Sequence, residues 1–464
     1  MYQVPQHIDK NKIFIVQRSE IEGRLDPKMA LYNRKVLHSL YPKVRLKDVL
    51  LCKPQYGASE PGVPRSSIKE PRYIRITDID ENGLISHDEL GATAKIIEDK
   101  YILCENDILI ARSGATVGKA YIHKPALYDC FFAGYLIRFI INTDKALPEY
   151  IFTYTQLNAY KEWVNAIQRP SGQPNINSEE YQSLEIPLPN IERQQVIVDV
   201  IKSAYLQKKQ KESEAKQLLD NVDAYILNEL GITLPEIKTD LKNRIFKVNR
   251  SELEERLDPT VYKDGIKLIS NNYDNVKLSS VAYINPTGTF KGKDIETPIS
   301  FIPMESIDEI YSEVSKLEDT TIENASGFTK FKEGDLLWAK ITPCMQNGKS
   351  AIAKNLTNGL GCGSTEFFVM RNKDERLAIE YLHVILHMKC VRETAMLYFG
   401  GSAGQQRVSS AFLENFNLPL PPKDKQIEIA NHVYTIRQKA KALQEEGKVL
   451  LEEAKRKVES MIIG

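Results

Sequence analysis

A chain of 464 residues is too long for one ordinary hydrophobic core, so two or more domains are expected. Its 62 basic and 62 acidic residues cancel, which excludes a global field and leaves any polyanion-binding surface to be local. Six scattered cysteines contain no Cys-x-x-Cys pair, so they give no zinc signal and read as buried reduced thiols. The start, "MYQVPQHIDK", is not a basic-then-apolar secretion signal, and no run approaches the ~18–20 apolar residues of a membrane span. A soluble cytoplasmic protein is the expectation.

In chain order, residues 1–40 form a leader expected to pack near later helices, and residues 41–190 a first domain. From Lys43 to Arg75 that domain opens with eight basic and three acidic residues, a local patch that includes Arg65, Arg72 and Arg75. Next comes "NDILIARSGATVGKA" (106–120), where strand-like runs enter and leave a Gly-Lys turn. A phosphate-cradling loop would need four residues between its glycines and a hydroxyl after the lysine. Here there are three, and Ala120 follows, so the stretch reads as a hairpin whose tip carries Arg112, Ser113, Thr116 and Lys119. The tract "QRPSGQPNIN" (168–177) supplies Arg169, Gln173 and Asn175, and "IPLP" then stops regular structure.

Residues 191–231 are highly charged and predict a long helix, 232–272 a linker with a second leader, 273–422 a second domain, and 423–464 a second long helix. The division follows from an internal repeat. "RSEIEGRLDP" (18–27) returns as "RSELEERLDP" (250–259), and "EIPLPNIERQQ" (185–195) lies over "NLPLPPKDKQI" (417–427), both at an offset of 232. The second hairpin, "GDLLWAKITPCMQNGKS" (334–350), carries Lys340, Thr342, Gln346, Asn347 and Lys349, and its partner loop "GGSAGQQRVS" (400–409) carries Gln405, Gln406 and Arg407. Lys291 is a further basic candidate in this copy. Arg, Lys, Gln and Asn are the side chains that contact base edges and phosphates, and glycines let a backbone approach closely.

In the helices, Val433, Ile436, Ala440, Leu443, Leu450 and Ala454 recur at spacings of three and four, in register with Ile201, Ala204, Ala215, Leu218 and Val222 of the first copy. That is a coiled-coil seam. Catalytic motifs are broken or missing. Asp88, Glu98 and Lys100 resemble a nuclease spacing without its proline, "NPTG" (285–288) falls short of an amino-methyltransferase motif, and His383 and His387 in "HVILH" lack the glutamate of a zinc site.

The paired helices, the two hairpins and the "GQPNIN…IPLPNIERQQVI" and "GQQRV…LPLPPKDKQIEI" exits together resemble the specificity subunits of type I restriction–modification enzymes over nearly the whole chain. "GQQRVS" departs from the "GQPNIN" form, which leaves open whether Arg407 matches Asn175. The resemblance implies a mixed α+β fold. Two target-recognition domains would be separated by two long helices in an antiparallel coiled coil, with a pseudo-two-fold repeat over 1–232 and 233–464. It implies a non-catalytic subunit that reads a bipartite site on double-stranded DNA. That subunit would dock two methyltransferase subunits carrying S-adenosylmethionine and, in some complexes, restriction subunits using ATP and magnesium. No cofactor or metal is expected on this chain. The competing readings are a repeat scaffold that binds proteins only, a self-sufficient nuclease or NTPase, and a specificity-like subunit of a methylation-only defence complex.

Overall fold

A computed structural model describes residues 15, 27–34, 39–85, 90–168, 174–235, 247–248, 258–402 and 405–463. Most of both leaders, together with Asp88, Arg169 and Gln173, lies outside the described residues. The chain forms two compact units. One takes residues up to Gln210 and from Glu446 onward, the other Lys211–Glu445. Among the described residues no helix is long and apolar enough to cross a membrane. All six cysteines are free. Cys130, Cys362 and Cys390 are buried, whereas Cys52 and Cys104 are exposed, contrary to the expectation of uniformly buried thiols, because both fall in turns outside the sheets.

In the first unit the strand Ile108–Ala111 is buried at every residue, as a continuous apolar run requires. It pairs antiparallel with Ala120–Ile122 on one side and Leu136–Phe139 on the other, and Gln55–Tyr56 completes a four-stranded sheet. A second four-stranded sheet orders Gly62–Pro64, Ala92–Ala94, Arg72–Ile74 and Cys130–Phe132. The second unit repeats the first sheet as Ala282–Ile284, Phe367–Asn372, Leu336–Ala339 and Ser350–Ile352. Its other sheet repeats three strands, with Pro298–Ile302 parallel to Leu360–Gly363 and antiparallel to Glu318–Thr321. The fourth strand sits on opposite edges of this shared core. It is Gly62–Pro64 on Ala92–Ala94 in the first unit, and Thr329–Lys332 on Leu360–Gly363 in the second.

The repeated prolines act where the helices begin. Among the described residues strand Glu185–Pro187 pairs only with Lys43–Arg45, and Asn417–Leu420 only with Asp274–Lys277, two-stranded ribbons in which a missing N–H costs little. The carboxamide oxygen of Asn190 then accepts the Arg193 N–H at 3.0 Å, capping the helix Ile191–Asp220. Three residues in, Gln194 is fully buried. Its oxygen accepts the Leu147 N–H at 2.8 Å and its nitrogen donates to the Pro189 carbonyl at 2.8 Å. Gln426 in the helix Lys423–Ile462 does the same with Ala378 N–H (2.9 Å) and the Pro421 carbonyl (2.8 Å). Tyr150 and Tyr381 repeat a third pin, each hydroxyl donating to the matched carbonyl, that of Pro187 or Pro419. The motif "PLP…Q" thus welds each globular domain to the start of its helix.

The expected helix over 191–231 is divided. It runs to Asp220, turns at Asn221 and resumes as Val222–Glu229. In the first unit Ile201, Ala204 and Ala454 are buried in one cluster with Leu451, Val458 and the domain helices at Pro148–Thr155 and Asn158–Ile167, while Leu450 is half-buried. The helix face therefore serves the domain as well as the helix pair, which is why the buried set is wider than a strict seam. A Cβ on Gly447 would lie 3.4 Å from the Lys208 Cα, so glycine permits a close helix–helix approach there. In the second unit Ala215 and Ala440 are fully buried against Tyr311, with Leu443 packed beside them; Val222 and Val433 join the main core, with Ile436 packed against it and Leu218 half-buried.

Candidate nucleic-acid interface

Each unit sets a hairpin tip against a second loop through a matched set of backbone bonds. In the first unit the Ile176 N–H donates to the Arg112 carbonyl (2.9 Å), the Gly114 N–H to the Pro174 carbonyl (3.0 Å), and Ser113 bridges Asn175. In the second the Val408 N–H donates to the Lys340 carbonyl (2.9 Å), the Thr342 N–H to the Gln406 carbonyl (3.0 Å), and Ile341 bridges Arg407. Arg112 therefore corresponds to Lys340, and Asn175 to Arg407, which settles the equivalence that the sequence leaves open. A third chain joins both: the Arg112 N–H donates to the Tyr135 carbonyl and the Lys340 N–H to the Glu366 carbonyl, each at 2.9 Å.

Side chains over these matched backbones differ. In the first unit the Arg112 guanidinium lies over the Tyr56 ring at 4.9 Å, and the Tyr56 hydroxyl donates to Ser178 Oγ at 3.2 Å. Asn175 is exposed and Tyr135 is 61% exposed, so aromatic, amide and cation share one surface. In the second unit Arg407 forms a side-on ion pair with Glu366, with Nη2 to Oε1 at 2.8 Å and Nε to Oε2 at 2.9 Å. Hydrogen bonding to that carboxylate holds Arg407 above its ordinary pKa. Lys340 is half-buried over the Phe368 ring, Gln406 is half-buried, and Gln405 and Lys291 are exposed. Tyr56, Tyr135 and Glu366 were not among the sequence candidates. Tyr135 and Glu366 each immediately precede an apolar strand, a signal visible only once the two copies are aligned strand by strand.

Other candidates point inward. Arg65 and Arg72 are 3% and 1% exposed. Arg65 donates to the Leu90 and Ile68 carbonyls and covers the Tyr128 ring, whose hydroxyl lies 3.4 Å from Arg72 Nη1. These two guanidiniums organise the domain interior. Arg75 is held by Asp78 at 2.9 Å. Lys119 and Lys349 occupy matched places. Their ammonium groups donate to the carbonyls of Ile79 (2.9 Å) and Met304 (3.2 Å), tying the hairpin to the preceding segment. The Gly-Lys stretch is thereby explained. Gly118 (φ 86°) needs its left-handed backbone, and a Cβ there would lie 2.7 Å from Val164. Gly348 (φ 90°) likewise abuts the His387 ring. Thr116 and Thr342 are half-buried, Asn347 donates to Glu309 at 3.1 Å, and the Gln346 carbonyl accepts from Arg392.

The two histidines are interior as well. His383 bonds Ser350 Oγ through Nε2 (3.1 Å) and the Tyr434 hydroxyl through Nδ1 (2.7 Å), and burial next to Arg437 drives its pKa down to about 3. Burial lowers His387 too, with Arg437 and Arg392 adding to the effect. Among the described residues no cluster of His, Cys, Asp and Glu is arranged to hold a metal ion.

The family model for the type I restriction modification DNA specificity domain matches residues 73–221 and 270–452, well over half of the chain. The chain belongs to that family. Among relatives, the specificity subunit of the type I restriction enzyme EcoEI from Escherichia coli is 35% identical over 168 residues, 35% of this chain and 27% of that subunit. The EcoAI specificity subunit from the same organism is 34% identical over 183 residues, 38% of this chain and 29% of that protein. The chain thus aligns with under a third of the length of these two relatives. A solved chain from work on complex assembly and conformational transition of the type I R-M system superposes with a TM-score of 0.50 at 17% identity, covering 91% of this specificity-family chain and 96% of that one. It shares the fold.

Proposed function

We propose that this protein is the DNA-specificity subunit of a type I restriction–modification complex, with each unit reading one half of a split sequence. The observation that carries this is the paired construction of the hairpin and loop. The same backbone bonds join Arg112 to Ile176 and Lys340 to Val408, while Asn175 and Tyr135 of the first unit give way to Arg407 and Glu366 in the second. A scaffold gripping two equal partners would keep both surfaces alike. Two different half-sites require a constant frame with divergent tops. Exposed Asn175, Tyr135, Gln405 and Arg407, with Arg112 and Lys340 beside them, supply the amide, aromatic and guanidinium chemistry of base-edge and phosphate contacts.

In this reading the chain is non-catalytic and resides where the DNA is, in the cytoplasm. The long helices set the spacing of the half-sites and offer the docking surface for methyltransferase subunits. Those partners supply S-adenosylmethionine and methylate adenine; restriction subunits using ATP and magnesium extend the complex where they are present. The test is to co-express the chain with its candidate methyltransferase and map methylated adenines genome-wide. A split motif that disappears when this chain is omitted is the expected result. Methylation that is independent of the chain, despite a stable complex, favours the protein-only scaffold.

A further inference from the structure

We propose that Arg407, braced by Glu366, reads a guanine in the half-site taken by the second unit. This rests on the DNA-specificity reading above and names one contact within it.

A guanidinium carries five N–H groups, two on each terminal nitrogen and one on Nε. Glu366 engages Arg407 from the side, through Nε (2.9 and 3.1 Å) and Nη2 (2.8 Å), and Nη1 donates to the Gln405 carbonyl at 3.0 Å. Among the described residues these bonds leave one N–H on each terminal nitrogen. Two such donors are what a bidentate contact to guanine O6 and N7 needs. The Arg407 side chain is 43% exposed and that of Glu366 21%, so the pair stands at the surface with its arginine outermost.

The charge balance separates a base contact from a phosphate contact. A phosphate is drawn by a cation with no nearby counter-charge, and Glu366 removes that advantage by cancelling the charge and repelling the phosphate itself. The neutral acceptors of a guanine edge gain from the fixed donor geometry and lose little to the carboxylate. The seat is also rigid. Arg407 pairs with Gly400 in a short ribbon, bridges Ile341 of the hairpin, and is followed by the Val408 N–H bond to the Lys340 carbonyl. Lys340 in turn is bonded through its own N–H to the Glu366 backbone, so arginine and brace stand on one connected frame. At the matched seat the first unit has Asn175 for the arginine and Tyr135 for the glutamate, so the site coincides with a point where the two units differ in both charge and shape.

The test uses the complete complex with its methyltransferase and reads the methylated motif. Arg407→Ala is expected to relax one G·C position of one half-site, with a loss of preference on the order of tenfold or more. Arg407→Lys relaxes the same position, since a point charge cannot replace the fork. Glu366→Gln relaxes it to a lesser degree. The other half-site stays intact in all three variants and reports that the subunit is folded and assembled. As a check without variants, wild-type complex is titrated with DNA carrying 7-deazaguanine at each guanine of that half-site in turn. Affinity is expected to fall at one position, where N7 has been lost. Uniform loss at every site with an unchanged motif would make Arg407 a phosphate contact and overturn the proposal. Relaxation at an A·T position, or no sensitivity to any 7-deazaguanine, overturns it as well. Absence of a split motif with the wild-type chain instead sinks the specificity reading itself.

Discussion

The first and second units share their interior bonds and differ at their tips. Gln194 and Gln426 pin helix starts, Tyr150 and Tyr381 donate to the matched carbonyls of Pro187 and Pro419, and the matched aspartates Asp107 and Asp335 each pair with an arginine, Arg138 or Arg371, although the two arginines stand two residues apart in strand register. Against this, Arg112 is replaced by Lys340 and Asn175 by Arg407 at equivalent positions, and the fourth strand of the second sheet has moved from one edge to the other. Buried polar groups must be satisfied, so they cannot drift singly, whereas exposed tips pay no such penalty for change. Divergence was therefore free to collect where a ligand would be met.

The comparison breaks most sharply at the ion pairs. Arg371 donates to Asp335 through two bonds of 2.7 Å, while the Arg138–Asp107 contact is 3.2 Å and burial pushes Asp107 above the usual carboxylate value. Asp335→Ala is expected to cost the second unit about 3–5 kcal/mol, and Asp107→Ala to cost the first unit less. Each unit has one buried tryptophan, Trp163 or Trp338, so denaturant unfolding followed by fluorescence in single-tryptophan variants resolves the two. Equal losses would remove the distinction.

Acid separates the units next. The folded pKa of His383 lies below its unfolded value, so the unfolded state binds more protons, and stability present above about 6.5 is lost as the pH falls toward about 3. The loss is about 1.4 kcal/mol per pH unit for one such histidine. Counting from the matched tyrosines, the first unit has Phe152 at this place. The second unit should weaken first on acidification, and His383→Phe should flatten its pH profile. A first unit that fails earlier would contradict this.

Gln426→Ala leaves the Ala378 N–H without its acceptor and should cost about 1–3 kcal/mol, with Gln194→Ala doing the same to the first unit. Calorimetry showing no shift for either would undo the role given to the "PLP…Q" motif. The smallest effect concerns lysines. Lys291→Ala should lower the salt dependence of DNA binding by about one phosphate contact if that exposed side chain meets the backbone. Lys119→Ala should leave the salt slope unchanged, because its ammonium is spent on Ile79.

The duplication, the hairpins and the long helices were legible because they are written as repeats, apolar runs and heptad-like spacing. Inward and outward lysines were not. "VGKA" and "NGKS" look like exposed turns, yet the carbonyls that receive Lys119 and Lys349 come from residues 40 and 45 positions earlier. Arg65 and Arg72 misled for the same reason, since a basic count carries no burial. The break at Asn221 leaves little trace in the helical period. Glu366 stayed hidden because an acidic residue is not sought at a DNA surface until its arginine is found beside it.

The central claim is that each unit reads its own half of the site on a common frame. The most direct measurement replaces residues 273–422 with a second copy of residues 41–190 and maps the methylated motif made by the resulting complex. A motif that carries the first half-site twice is the predicted result. An active complex that still methylates the parental motif would contradict the account.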